Sequence, residues 1–249
     1  MSVEASPAEA ARSTSNRSVL SGKFKSTFTV STVVAITFDL FGTLVAVDRP
    51  DDPASAVGAE LRERGVAVPD DWSAAYAERH IDAPQGAEVP LPAHVAAALR
   101  SRDVDVPNNA ARRAVVAAFD PVVRTRNGAE DAVAAAAERG SVGLLSNCSV
   151  PELVSRTLIR SALDRTTFDA VVTSVGSGWR KPHPEAFGTI ARKLDVDPES
   201  LVHVGDDEAT DGGIASLGGT FVDVSESDLD AVASQLRRGE SPGGATPCR

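Results

Sequence analysis

Cysteine is scarce in this chain, and long apolar runs are missing. Two cysteines among 249 residues, Cys148 and Cys248, provide neither a disulfide framework nor a thiolate metal cluster. A reducing compartment is therefore the expected location, and we predict a cytoplasmic protein. The first apolar run, residues 33–36, is far shorter than the roughly 20 residues that a membrane-spanning helix needs. We expect no membrane partner.

Basic residues are outnumbered by acidic ones. The chain has 25 lysines and arginines against 35 aspartates and glutamates, which gives a formal net charge of −10. Surfaces that bind nucleic acids need concentrated positive charge, so we expect no nucleic-acid partner. The length allows a globular core.

From residue 128 onward, short apolar segments alternate with helical patterns, among them DGGIASLG at residues 211–218, which we predict to form a helix. The segments SVGLLS, FDAVVTS, LVHVGD and TFVDV are typical of buried parallel strands covered by helices on both faces. Between residues 51 and 123 apolar residues recur at helical spacing instead. We predict an α/β fold with a doubly wound, Rossmann-like parallel sheet built from residues 32–50 and 124–236. Residues 51–123 would form a helical cap inserted after the first strand.

The two ends of the chain differ in composition from this pattern. Residues 1–31 are rich in serine, alanine and threonine and show no sustained periodicity, so we predict a disordered leader. Residues 237–249 are rich in glycine and proline, and we predict a disordered tail.

Polar side chains follow four of the predicted strands at the point where each strand ends. They are Asp39 and Thr43 after the first strand, Ser146 and Asn147 after the second, Lys181 in the loop after the third, and Asp206 and Asp211 after the fourth. The carboxyl ends of parallel strands meet at one crevice, so these groups can converge. Several carboxylates close together repel one another unless a cation offsets their charge, and oxygen ligands suit Mg²⁺. His203, inside a predicted strand, is interpreted as a packed core residue.

Four segments carry a resemblance to a known family. FDLFGTLV at 38–45, LLSN at 144–147, RKPHPEAF at 180–187 and HVGDDEATD at 203–211 stand in the order of the four motifs of the haloacid dehalogenase-like hydrolase superfamily. The chain resembles a capped member of that superfamily from about residue 33 to residue 224. The resemblance implies an enzyme, a hydrolase that acts on a small-molecule substrate through a covalent intermediate.

The resemblance also implies roles for individual residues. Asp39 would attack phosphorus to form an aspartyl-phosphate, and Lys181 would neutralise the nucleophile and the transferring group. Asp39, Asp206, Asp211 and the backbone carbonyl of Phe41 would hold Mg²⁺. From the residues alone, Asp39 could equally form a turn after its strand, and Asp211 could cap a helix.

The same resemblance assigns phosphate binding to three groups. The hydroxyls of Thr43 and Ser146 and the backbone N–H of Asn147 would donate hydrogen bonds to phosphate oxygens. Either hydroxyl could instead simply end a strand. Cap residues near Trp72, Tyr76 or His80 would contact the substrate, although the first two, at helical spacing, also suit core packing.

Phe41 departs from the phosphatase pattern. Phosphatase members of the superfamily usually carry a second aspartate at this position as the general acid and base, and phenylalanine transfers no proton. An aromatic residue here is similar to the 2-haloacid dehalogenases, which work without metal and use a cap arginine to receive the halide. Arg62 and Arg64 are candidates for that role. Three hypotheses stay open: a Mg²⁺-dependent hydrolase of a small phosphorylated metabolite, a metal-independent 2-haloacid dehalogenase, and a non-catalytic relative that binds a phosphorylated ligand.

Overall fold

The structure, a computed structural model, describes residues 35–107, 109–225, 228–240 and 242. In chain order its strands are β1 (Ala35–Phe38), β2 (Val45–Val47), β3 (Val123–Thr125), β4 (Val142–Ser146), β5 (Ala170–Thr173), β6 (Leu201–Gly205) and β7 (Thr220–Asp223). Its α helices are α1 (Pro53–Glu63), α2 (Trp72–Ala77), α3 (Leu91–Arg100), α4 (Ala110–Ala118), α5 (Ala129–Ala137), α6 (Leu153–Arg160), α7 (Ser174–Ser177), α8 (Pro184–Leu194) and α9 (Leu229–Arg237). The predicted leader, residues 1–31, lies outside the described residues, as does most of the predicted tail.

Five strands form a parallel sheet in the order β5-β4-β1-β6-β7. After β1, the chain places β4 and then β5 on one side of β1. It later places β6 and then β7 on the opposite side of β1. The order therefore reverses at β1, and ligands of such sheets bind outside the carboxyl ends of the strands at this switch point.

Helices cover both faces of this sheet because side chains alternate along each strand. Ile36 and Phe38 belong to the apolar cluster that contains α5 and α9. Ala35 and Leu145 belong to a second cluster with residues of α8. Each large side chain buried in these clusters contributes about 1.5–3 kcal/mol through the hydrophobic effect. The predicted α/β fold with a parallel central sheet is confirmed.

One predicted helix takes a tighter form. We predicted a helix over DGGIASLG, residues 211–218, and Asp211–Leu217 instead forms a 3₁₀ helix. Gly212 and Gly213 give this segment little α-helical propensity. Gly213 also lies against Pro182, where a side chain would clash. Close packing, which the sequence pattern does not reveal, determines the local form.

Helices α1 to α4 lie between β2 and β3, which pair with each other as an antiparallel ribbon. Buried side chains from these helices include Val57, Leu61, Val95, Leu99 and Val115. These apolar residues recur at helical spacing in the sequence, and their burial places one face of each helix against its neighbours. In the described residues, no helix combines the length and apolar character that crossing a membrane requires.

Candidate active site

Asp39 and Lys181 form a buried ion pair at the carboxyl end of β1. Asp39 directly follows β1, and its backbone N–H donates to the carbonyl oxygen of Val204 at 2.9 Å. The ammonium of Lys181, from the loop before α8, donates to Asp39 Oδ1 at 2.8 Å and to the carbonyl oxygen of Leu145 at 2.9 Å. The Lys181 side chain is 1% exposed. Its charge is therefore directed at the end of the sheet rather than at solvent.

Asp211 joins this pair from the start of the 3₁₀ helix. Its Oδ1 accepts from Lys181 Nζ at 2.5 Å and contacts His203 Nε2 at 3.1 Å. Burial raises the pKa of Asp211, but the hydrogen bond from His203 and the charge of Lys181 outweigh burial. The net result is a pKa well below the usual range. Asp211 is thus a carboxylate at neutral pH.

His203 has a role beyond core packing. It is fully buried in β6, as predicted, and its Nδ1 also lies 2.9 Å from Thr37 Oγ1 in β1. Burial lowers the pKa of His203 to about 4, so the ring is neutral at neutral pH. A neutral ring that accepts from Thr37 at Nδ1 donates from Nε2 to Asp211. No pattern in the sequence indicates this contact, because it depends on the register of β6 beside β1.

Asp206 is positioned by the loop that follows Asp39. Its Oδ1 accepts from the hydroxyl of Thr43 at 2.7 Å. Gly42 in this loop has φ +97°, and a Cβ there would overlap the Asp206 carboxylate. We predicted that the Thr43 hydroxyl contacts phosphate. In the structure its hydrogen is directed to Asp206, because the buried hydroxyl faces a carboxylate, and Thr43 orients that group.

Asn147 and Ser146, at the end of β4, make different contacts. The Asn147 amide donates to the carbonyl oxygen of Lys181 at 2.9 Å and accepts from the Lys181 backbone N–H at 2.8 Å. This pair of bonds fixes the backbone that carries the ammonium. Ser146 Oγ is buried and has no hydrogen-bond partner among the described residues. A buried hydroxyl usually has a partner, so this group is available to a ligand.

The carboxylates of Asp39, Asp206 and Asp211 each offer an oxygen within 4.8 Å of the others. Burial raises the pKa of Asp39 and the nearby charge of Asp211 raises it further, against the opposing effect of Lys181. Of the two effects that raise the pKa of Asp39, burial is larger than the repulsion from Asp211. Lys181 and Thr43 engage one oxygen of each carboxylate, and the second oxygen of Asp211 accepts from the backbone N–H of Asp207 at 3.2 Å. This donor set fits Mg²⁺, which prefers oxygen ligands.

Phe41 and the candidate arginines occupy other positions. The Phe41 side chain packs partly buried against the apolar core and lines a cavity beside Asn147. Neither Arg62 nor Arg64 lines this cavity, and Arg64 hydrogen-bonds Glu60 one turn earlier in α1. Two arginines that the sequence analysis did not select, Arg49 and Arg180, line the cavity instead.

The proposed substrate-contacting residues of the helical segment also lie elsewhere. Trp72 is buried and donates from Nε1 to the carbonyl oxygen of Ala54 at 2.7 Å, which is core packing. Tyr76 contacts the rings of Trp72 and His94. Neither these residues nor His80 line the cavity beside Phe41. Phe119, just after α4, does so.

Comparison with known proteins gives one family. The model of the haloacid dehalogenase-like hydrolases matches residues 33–218. A comparison with curated proteins returned no match.

Solved structures with the same fold include enzymes of two kinds. A 2-haloacid dehalogenase from Pseudomonas syringae pv. tomato DC3000 is similar with a TM-score of 0.58 and 16% identity, over 83% of this chain and 99% of that one. CbbY from Rhodobacter sphaeroides, solved with phosphate, is similar with a TM-score of 0.51 and 20% identity, over 76% and 85%. A predicted phosphoglycolate phosphatase from Haemophilus somnus 129PT has a TM-score of 0.50 and 17% identity, over 78% and 86%. At these identities the likeness establishes the fold alone.

Proposed function

The chain belongs to the haloacid dehalogenase-like hydrolase family, and from this premise we propose that it hydrolyses a small phosphorylated metabolite with Mg²⁺, through an aspartyl-phosphate at Asp39. The observation that carries the proposal is the convergence of Asp39, Asp206 and Asp211 within 4.8 Å around the buried ammonium of Lys181. The scarcity of cysteine is the ground for proposing a cytoplasmic location.

The proposed reaction has two steps, and the site residues have separate roles in them. A carboxylate oxygen of Asp39 attacks phosphorus, the bond from phosphorus to the ester oxygen breaks, and that oxygen leaves with the electron pair and takes a proton from water. Water then attacks phosphorus, the bond to Asp39 breaks, and inorganic phosphate and the free carboxylate result. The proton that this water loses neutralises the hydroxide left by the first step. Lys181 stabilises Asp39 in its ionised form and attracts the phosphoryl oxygens. Ser146 Oγ and the backbone N–H of Asn147 would donate to those oxygens.

Asp39, Asp206, Asp211 and the backbone carbonyl of Phe41 would hold Mg²⁺. The ion supplies positive charge that stabilises negative charge on the phosphoryl oxygens. Thr43 keeps Asp206 turned toward this site, and His203 does the same for Asp211. We propose residues 51–123 as the cap, since Phe119 from this segment and Asn147 from the sheet line the same cavity.

Phe41 restricts which leaving groups a substrate can carry. Without an aspartate at this position, no side chain is assigned to protonate the leaving oxygen, and a missing general acid costs about 10²–10⁴-fold in rate. Substrates whose leaving group needs no protonation avoid that cost. We therefore propose that acyl or aryl phosphates react faster than simple sugar phosphates. Equal rates for the two classes would contradict this part of the proposal.

A second function, 2-haloacid dehalogenation, is favoured by Phe41 itself. A halide leaves without a proton, so an aromatic residue at position 41 is no obstacle to that reaction. Against it, in a metal-free enzyme the three carboxylates would share the single charge of Lys181 as their one contacting cation among the described residues, and uncompensated buried charge is costly.

One experiment separates these functions and the non-catalytic alternative. The purified protein is incubated with Mg²⁺ and a panel of phosphate esters, and in parallel with 2-chloropropionate and a chelator, with Asp39→Asn as the blank. Phosphate release that requires Mg²⁺ supports the proposal, and chloride release without metal supports dehalogenation. Absence of turnover combined with thermal stabilisation by a phosphate ester would indicate a binding protein.

Isotope labelling adds a mechanistic readout to the same reactions. In ¹⁸O-water, attack of water on phosphorus labels the released phosphate and leaves the Asp39 carboxylate unlabelled. A dehalogenase forms an ester whose carbonyl carbon is attacked by water, so the label enters Asp39. Mass spectrometry of the peptide that contains Asp39 distinguishes the two.

A further inference from the structure

A cavity of about 210 Å³ adjoins the candidate active site at Asn147 and Phe41. Its walls include Val47, Phe119 and Leu153, so much of its lining is apolar. It is smaller than the roughly 300–1,000 Å³ of typical ligand sites, which restricts it to a small molecular body. Through Asn147 and Phe41 the cavity borders the candidate site, and it therefore lies beside a phosphoryl group held at Asp39.

Two guanidinium groups face this small apolar space. Arg49 lies over the ring of Phe41, with its central carbon 5.9 Å from the ring centroid, and in the described part of the chain no carboxylate forms an ion pair with it. Arg180 precedes Lys181, and its Nη1 lies 3.5 Å from Glu88 Oε1. Its side chain is half-exposed, and the residue lines the cavity.

Glu88, which does not line the cavity, orients the guanidinium of Arg180 through an ion pair. The Glu88 side chain is 2% exposed, and its other oxygen accepts from the buried hydroxyl of Ser174. Its backbone N–H donates to the carbonyl oxygen of Gly178 at 2.8 Å. The carboxylate is thus fixed in the protein interior, and the guanidinium that it orients is presented to the cavity.

Negative charge in the lining is already compensated. Of the described residues that line the cavity, Asp48 alone is acidic, and it pairs with Arg124, which lies outside the lining. The lining therefore offers Arg49, which has no ion-pair partner among the described residues, and Arg180, whose charge Glu88 partly offsets at 3.5 Å. In a chain with a net charge of −10, two arginines beside one apolar cavity indicate an anionic ligand group.

We propose that this cavity binds the non-reacting part of the substrate, and that this part carries a carboxylate on a short apolar body. The proposal rests on the proposed function, because Asp39 must hold the phosphoryl end. Guanidinium groups bind carboxylates through paired hydrogen bonds, and the apolar walls disfavour a polyol chain. The substrate class is therefore a phosphorylated carboxylic acid rather than a sugar phosphate, with Arg49 and Arg180 as the residues that determine specificity.

The test compares two substrates that differ in one group. 4-Carboxyphenyl phosphate and its neutral isostere 4-carbamoylphenyl phosphate are hydrolysed in Mg²⁺ by the wild type and by Arg49→Gln, Arg180→Gln and Arg139→Gln. Arg139 is exposed after α5 and serves as the matched control. We expect kcat/KM for the carboxylate to exceed that for the amide by about tenfold or more, since charged hydrogen bonds are the stronger ones.

The variants assign the preference to the two arginines. Arg49→Gln and Arg180→Gln should each lower kcat/KM for the carboxylate substrate about tenfold more than for the amide, and Arg139→Gln should change neither. Equal kcat/KM for the two substrates in the wild type would overturn the inference and leave the proposed function standing. An equal loss on both substrates in the arginine variants would also overturn it.

Binding to Asp39→Asn separates failure of the inference from failure of the proposed function. Calorimetry with the same two compounds measures recognition without turnover. If the wild type hydrolyses neither compound, the proposed function fails. Tighter binding of the carboxylate by about tenfold would then still support the cavity assignment, and equal affinities would overturn it.

Discussion

The ammonium of Lys181 lies 2.8 Å from Asp39 Oδ1, and both side chains are buried at the end of the central strand. A buried charge is stable only with its partner, so each of these residues depends on the other. The same ammonium also contacts Asp211, which makes Lys181 the one positive side chain in direct contact with this carboxylate cluster among the described residues.

Replacing Lys181 should therefore destabilise the fold as well as the activity. We expect Lys181→Met to lower the free energy of unfolding by about 3–5 kcal/mol without metal, because Asp39 and Asp211 lose their counter-charge. Added Mg²⁺ should restore part of this loss by binding the folded state. Urea denaturation with and without Mg²⁺ measures both effects. Lys193→Met, at an exposed position of α8, is the control, and a loss as small as its own would refute the expectation.

Gly42 tests whether Asp206 belongs to the metal site. Gly42→Ala introduces a Cβ against the Asp206 carboxylate at a positive φ, and Gly65→Ala introduces one at φ +73° with no atom within 4 Å. Both changes strain the backbone by about 1–2 kcal/mol. Gly42→Ala alone should also raise the Mg²⁺ concentration for half-maximal activity, by about tenfold if one ligand is displaced. An unchanged Mg²⁺ requirement in Gly42→Ala would exclude Asp206 as a ligand.

Phe41→Asp should supply the missing general acid. We expect turnover of alkyl phosphates to rise by about 10²-fold relative to aryl phosphates, whose leaving groups gain little from protonation. Phe41→Leu removes the ring without adding a carboxyl group and should leave the ratio of the two rates unchanged. A ratio that changes equally in both variants would show that packing, rather than proton transfer, is responsible.

His203 should make the folded protein sensitive to mild acid. Its pKa is lowered to about 4 by burial from the ordinary 6.5, so the unfolded chain binds a proton at this residue before the folded chain does. The contribution of the neutral ring to the free energy of unfolding is therefore fully present above pH 6.5. It is lost as the pH falls toward about 4, by about 3 kcal/mol in total, because one proton binds per molecule. His203→Gln, which keeps a donor for Asp211, should show a shallower decline in denaturation experiments between these pH values. Parallel curves for the two proteins would refute the assignment.

Much of this arrangement follows from the sequence by simple rules. Short apolar segments separated by amphipathic helices indicate a parallel sheet, and the sheet brings its strand ends together. Asp39, Asn147, Lys181 and Asp211 could therefore be expected near one another. Their individual roles came from the family resemblance, and the hydrogen bonds between the Asn147 amide and the Lys181 backbone were not predicted.

Other features depend on packing that the pattern does not encode. The contact of His203 with Asp211 depends on strand register, and the 3₁₀ form of Asp211–Leu217 depends on the fit of Gly213 against Pro182. Arg49 faces the cavity and Arg62 does not, although both lie after β2 in an arginine-rich chain. Distinguishing them requires the path of the chain between β2 and α1.

Covalent trapping at Asp39 tests the central claim most directly. The protein reacts with 4-carboxyphenyl phosphate and Mg²⁺, is quenched within one turnover, and is reduced with borohydride, which converts an acyl phosphate on aspartate into homoserine. Peptide mass spectrometry then locates the product. We predict homoserine at position 39 in the presence of both substrate and Mg²⁺, and an unchanged residue when either is omitted. Phosphate release that leaves Asp39 unmodified under these conditions would contradict the account.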